Sequence, residues 1–216
     1  LSDPLSPRIT GELGDLTGFS TWIGPFDEDH LLAVGQEADL DGRVIGIQVS
    51  LFDVSDMANP TLLHRKSLTG GVYSEAIGDP HALTWYPSRG KLSLPIEGWM
   101  TTDDYMYSTY DARLAIFDVD LEDGITEAGE IRHTDLINPT GGQDCAPYTY
   151  WMRLRRGVFV EDFVYAFSDF AVSSHALADP ATRLASVLLN PDFSYGPIDY
   201  VGGVAEDSMP AMCIEY

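Results

Sequence analysis

Three times along this 216-residue chain one unit returns: an apolar strand, a short polar turn, a second strand, then a stretch closing near an Asp and a further apolar strand. The first copy runs from Phe19 to Gly70 and holds VSLFDVSDMANPTLLHRKSL. The second runs from His81 to His133 with HALTWYPSRGKLSLPIE and RLAIFDVDLEDGITEAGEIRH, and the third from Arg153 to Asn190 with RGVFVEDFVYAFSDFAVSSHALADPATRLASVLLN. Phe52 and Phe117 are 65 residues apart, and Phe117 lies 58 residues before His175, its counterpart in HALAD. No other feature constrains the fold as tightly, because one four-stranded unit has two apolar faces and too little core to stand alone.

Such copies must stack face to face, and a recurrence with about four strands per copy predicts the blades of a β-propeller. The copies are longer than the roughly 40 to 50 residues usual for such blades. Strands buried on both faces read as near-continuous apolar runs. Val49, Leu51, Phe52 and Val54 around Ser50 and Asp53 fit that pattern, as do Ile116, Phe117 and Val119 around Asp118. Polar gaps of hairpin length at Phe26–His30, Pro87–Lys91 and Glu161–Asp162 separate apolar runs. The expected fold class is therefore all-β: a partial propeller domain over 1–190, with blades at about 19–77, 78–137 and 150–190, and a tail at 191–216 packing on it.

Residues 3–13 read as the outermost strand of a preceding blade, by likeness to Asn59–Leu68. Three blades and one strand fall short of the four to eight that close a ring. The expectation is the carboxyl-terminal part of a larger ring, its missing blades supplied by the rest of the polypeptide or by another chain, since an open wedge would expose apolar faces and edges.

With 34 acidic against 12 basic residues, the net charge of -22 excludes nucleic acid and anionic membrane surfaces as partners, because both need Lys and Arg to neutralise phosphate. Only Lys66 and Lys91 are lysines, and Asp outnumbers Glu 23 to 11. No run approaches the roughly 18 to 20 apolar residues that span a bilayer. Cys145 and Cys213 flank the last blade, so a disulfide between them would staple the tail across it in an oxidising compartment; two unpaired thiols, or one bonded to another part of the polypeptide, is the competing reading.

The combination of GFSTWIGPFDEDHLLAVGQEADLDGRVIGIQVSLFDVSDMANPTLLHRKSL, SEAIGDPHALTWYPSRGKLSLPI and RLRRGVFVEDFVYAFSD resembles the secreted bacterial and archaeal proteins with a carboxyl-terminal β-propeller distantly related to WD repeats. The resemblance covers Asp3 to Leu189, and its most specific pieces are SLFDVSD at 50–56 and SEAIGDPHAL at 74–83. The family has Ser, Glu, Ala, Asp and His with a Lys following; here Pro80 precedes His81 and Ala82 follows it. The resemblance implies an exported protein, secreted, periplasmic or at the cell surface, and carries no reaction with it.

Ser74, Asp79 and His81 form the best polar constellation, expected as a structural network that pins an inner strand, with a catalytic or metal-binding histidine as the rival reading. Asp118, Asp120, Glu122 and Asp123 before Gly124, and Asp39 and Asp41 before Gly42, place oxygen ligands at alternating positions. Calcium is the one cofactor such spacing suggests, and an ordinary Asp-Gly hairpin turn is the alternative. The aromatic stretch at 98–110, with Trp99, Tyr105, Tyr107 and Tyr110, suits a protein-binding loop between two strands of the middle blade, or rings packed against a neighbouring blade. His30, His64, His133 and His175 lack metal-ligand spacing and read as surface or packing residues. GxSxG, HExxH, CxxC and glycine-rich phosphate motifs are absent from the sequence. The expected function is a non-catalytic extracellular propeller module for protein binding or assembly. An extracellular propeller enzyme, hydrolytic or metal-assisted, with its site at the channel mouth, is the alternative.

Overall fold

The structure is a computed structural model, and it describes residues 5–14, 16–70, 72–101, 108–137 and 153–189. The first unit forms an antiparallel sheet of four strands in chain order: β1 (Phe19–Pro25), β2 (His30–Ala38), β3 (Val44–Asp53) and β4 (Thr61–Thr69). The second sheet contains β5 (Val72–Tyr73), β6 (Thr84–Tyr86), β7 (Lys91–Thr101), β8 (Ser108–Asp120) and β9 (Gly124–Ile131); β5 and β6 both pair with β7. After the one-turn helix α1 (Thr134–Ile137) comes the third sheet: β10 (Leu154–Val160), β11 (Phe163–Ser168), β12 (Ala171–Ala176) and β13 (Asp179–Leu188).

The hairpins follow from local chemistry. The backbone N–H of Phe26 donates to His30 O at 2.9 Å to close the first. At the β6–β7 corner Pro87 opens a single 3-10 turn that Gly90 ends at φ 59°, a left-handed conformation that glycine adopts without steric cost. The two-residue turn between β10 and β11 instead holds Glu161 at φ 52°.

The middle sheet explains why these units need one another. Leu92, Leu94, Ile96, Ala115, Phe117 and Val119 point to one side, where they share a fifteen-residue buried cluster with Leu32, Val34, Ile47, Val49 and Leu51 of the first sheet. Alternate residues of the same strand, Leu114 and Ile116, point to the other side and join Ile131 with Leu154, Val164, Ala166 and Leu177 of the third, a cluster of seven. A strand such as β8, apolar at consecutive positions, is what a sheet sandwiched between two others requires. Phe117 is 0 % exposed and Ile116 likewise, one on each face.

Two expectations differ in detail. Residues 5–14 carry no strand; Gly11 lies instead against the main chain of Met57 and Ala58, where a Cβ would meet Met57 O at 2.2 Å, and Thr17 reaches Glu37. The first strand of the middle blade is also split and starts earlier than residue 78: β5 pairs with the far half of β7 and β6 with the near half, with residues 74–83 looped out between them.

Candidate functional site

The looped-out segment is the SEAIGDPHAL motif. Ser74, fully buried, caps one 3-10 turn (Glu75–Ile77) by accepting from Ala76 N at 3.2 Å. Asp79 caps the next (Pro80–Ala82), accepting from His81 N at 2.9 Å and from the His81 ring Nδ1 at 2.8 Å. Ala76, Ala82 and Leu83 drop into the large cluster between the first two sheets. Ser74, Asp79 and His81 are thus not one network as the sequence suggested. Two separate caps hold a double turn whose apolar residues plug the core, and His81, its side chain 86 % exposed, faces solvent.

The aromatic stretch is corrected in a different way. Trp99 and Tyr110 are not in a loop; they are cross-strand partners on β7 and β8, with ring centroids 5.3 Å apart in an edge-to-face arrangement. Tyr110 is buried and its hydroxyl donates to Glu97, whose carboxylate also takes Arg153 Nε at 3.0 Å. Burial, then the Glu97 carboxylate, push the phenol well above its ordinary pKa, so Tyr110 stays a donor. Trp99 remains 52 % exposed on top of this anchored ring. Tyr105 and Tyr107 lie outside the described residues, as do Cys145, Cys213 and the tail.

At the opposite end of the middle blade, the acidic stretch forms the β8–β9 hairpin. Asp120 Oδ1 accepts from Glu122 N at 2.7 Å and Asp123 N at 3.1 Å, and Asp118 pairs with Lys91 Nζ at 2.5 Å. Gly124 at φ 79° completes the turn. Asp39 does the same at the β2–β3 turn, accepting from Asp41 N at 3.0 Å and Arg43 N at 2.8 Å. Among the described residues no three His, Cys, Asp or Glu side chains converge as an ion's ligands would. Of the four carboxylates named for calcium, Asp120 holds the hairpin's own backbone and Asp118 pairs with Lys91. An open cleft of about 550 Å³ lies beside them, lined by Phe26, Arg89, Asp118, Asp120 and Asp123 among others.

A polar cluster that sequence spacing hid lies between the second and third sheets. His133, just past β9, and Ser168, Ser173 and His175 are all buried. His133 Nδ1 lies 2.9 Å from Ser168 Oγ and its Nε2 lies 2.8 Å from Ser173 Oγ, which is 2.8 Å from His175 Nε2. Partners 35 and 40 residues apart in sequence give no motif. The one sequence signal is the period-two spacing of Ser173 and His175, which puts both on the same buried face of β12.

Ion pairs also cross this seam: Arg89 with Asp162 at 2.5 Å, Arg153 with Glu97, and Arg155 with Glu75 at 3.1 Å, Arg155 being held as well by Asp169 of its own unit at 2.8 Å. At least nine of the twelve basic residues sit in an ion pair (Arg43, Arg65, Arg89, Lys91, Arg113, Arg132, Arg153, Arg155 and Arg183), which leaves the excess carboxylates to the surface.

Three antiparallel sheets, stacked through the two faces of the middle one, define a propeller-type repeat protein. The family model described as Beta propeller domain matches residues 1–179, most of the chain, and the chain belongs to that family. No curated protein matches it.

Proposed function

We propose that this chain is a non-catalytic β-propeller module that binds protein and takes part in assembly, in an exported protein that is secreted, periplasmic or at the cell surface. The carrying observation is Trp99: an indole half exposed, clamped on a buried tyrosine that Glu97 and Arg153 hold from beneath. A large ring fixed on a rigid two-strand ladder binds at low entropic cost, which is why Trp and Tyr recur as interface anchors. Further blades, from the same polypeptide or another chain, are the second class of partner. The described residues form three sheets, fewer than a closed ring needs, and Val160, Phe163 and Val187 of the third sheet stand 49 %, 39 % and 65 % exposed. The acidic surface suits a saline exterior, and among the described residues no helix is long and apolar enough to cross a membrane.

A photo-crosslinking amino acid at position 99 of the full-length protein in its native host tests this reading. A discrete protein adduct, competed away by excess unlabelled protein and missing when the probe sits at Leu40, which is 95 % exposed, is the expected result. Adducts no stronger at 99 than at 40 would overturn it.

A further inference from the structure

The two seams beside the middle sheet are built differently. Among the described residues, fifteen buried apolar residues form the cluster toward the first sheet and seven form the main one toward the third, with Phe170 and Ala171 a small separate pair. The second seam compensates with polar ties, and the deepest is the chain Ser168, His133, Ser173, His175. The geometry points to an acid-opened latch: these four side chains hold the third blade against the second only while both imidazoles are neutral, and protonation releases the third blade.

Both rings are buried, His133 0 % and His175 2 % exposed, and their hydrogens pass along one chain of hydroxyls. Ser168 Oγ accepts from Ala171 N at 3.1 Å, and its one hydrogen goes either to Ala171 O at 3.3 Å or to His133 Nδ1 at 2.9 Å, the second choice setting one order along the chain. The Nε2–H of His133 then donates to Ser173 Oγ, and the Ser173 hydroxyl donates to His175 Nε2. That leaves the His175 proton on Nδ1, an atom with no hydrogen-bond partner among the described residues, while the main chain of Pro180 and Thr182 nearby favours a proton there. In this order each hydroxyl and each ring donates once; with Ser168 turned to Ala171 O the chain runs the other way. One added proton can be matched by that turn, but protons on both rings would leave Ser173 Oγ facing two donors, and either proton places a cation where water does not reach.

The charges around the pair do not welcome it. Arg183 of β13 disfavours a cation on both rings, and His175 disfavours one on His133. Among the described residues Asp135 of α1 is the opposing carboxylate, and it is already held by Arg183 at 2.6 Å. Phe170 lies edge-on to His133 with centroids 6.0 Å apart. Burial, then Arg183 and His175, push His133 down to about 4 from its ordinary 6.5, and burial foremost pushes His175 down as well. A histidine depressed in the folded state binds its proton more readily once unfolded, so its stabilising contribution is whole above pH 6.5. That contribution falls through the interval toward pH 4, in which the open form alone is protonated. The carboxylates that cap the turns act lower, below their ordinary 3.8.

Hydrogen exchange with mass detection on the full chain, at pH 7 and pH 4.5 with exposure times scaled for intrinsic exchange, tests the latch. The expected result is a loss of protection of tenfold or more across residues 154–188, unchanged protection across 19–69, and recovery on return to pH 7. Protection of 154–188 that persists at pH 4.5, or loss in all three sheets together, would overturn it. The variant His175→Phe removes one titrating ring and its unpartnered nitrogen, and should open at lower pH than the wild type; opening at an unchanged pH would also count against the latch. Should that variant fail to fold, the wild-type exchange measurement decides alone.

Discussion

At the scale of single residues, the excess of Asp over Glu has a structural reason. Asp27, Asp39, Asp53, Asp56, Asp79 and Asp120 each accept from the backbone N–H two residues on, at 2.7 to 3.0 Å. The short Asp side chain reaches its own turn, and Glu carries one methylene too many for that bond. The Asn59 amide and then the Ala58 N–H hold Asp56 below the ordinary carboxylate range; the Glu122 and Asp123 N–H groups do so for Asp120. Because these carboxylates resist protonation when folded, their contribution is present above pH 3.8 and lost as pH drops below it. Asp120→Ala should lower Tm at pH 7, and Asp120→Asn should lower it less, since the amide oxygen still accepts. Equal losses in thermal melts would contradict the turn role. Glu161 is the reverse case, a non-glycine residue at φ 52° in a tight turn. Glu161→Asn should stabilise by up to about 1 kcal/mol, measured by urea titration, because Asn tolerates that region better.

At the scale of elements, β8 and β10 carry the argument. Gly157 of β10 sits so near the middle sheet that an added Cβ would meet Ser93 Oγ at 2.7 Å and Leu114 Cδ2 at 2.9 Å, while Thr84 Oγ1 donates to Gly157 O at 2.6 Å. Gly157→Val should cost about 1–3 kcal/mol by overpacking this seam, read from urea midpoints. Phe117→Ala, on the opposite face of the middle sheet, should cost about 3–5 kcal/mol. The strands themselves were legible: the double-faced runs at 49–54 and 116–119 and the hairpin gaps at 26–30, 87–91 and 161–162 all lie where the sequence places them. The split inner strand was not, because residues 74–83 show a polar motif whose burial depends on Ala76, Ala82 and Leu83 meeting another sheet. Trp99 and Tyr110 were found as aromatics but set in a loop, since a cross-strand pair is visible only once register is fixed.

At the scale of the whole molecule, the repeat in the sequence carried the fold and little of the site. A repeat records what each unit needs from its neighbours, and here that is two apolar faces on the middle blade. The His133, Ser173 and His175 cluster records what two particular blades need from each other, and such a pairing has no period to reveal it. The seams differ in kind, so they should differ in response. Raising salt to 1 M should weaken the partly exposed ties Arg89–Asp162 and Arg155–Glu75 of the second seam and leave the larger apolar seam intact. Limited proteolysis at high salt should then cut first between residues 154 and 188. First cuts within 19–69 would speak against this ranking of the seams.

The most direct test of radial stacking is a methyl NOE spectrum of protein labelled at Ile, Leu and Val. Leu114 and Ile116 should show cross-peaks to Leu154 and Val164, Leu92 and Leu94 should show them to Val49 and Leu51, and none should join Val49 to Val164. A direct Val49 to Val164 peak would mean that the first and third sheets clasp each other as a sandwich, and the stacked-blade account would fail.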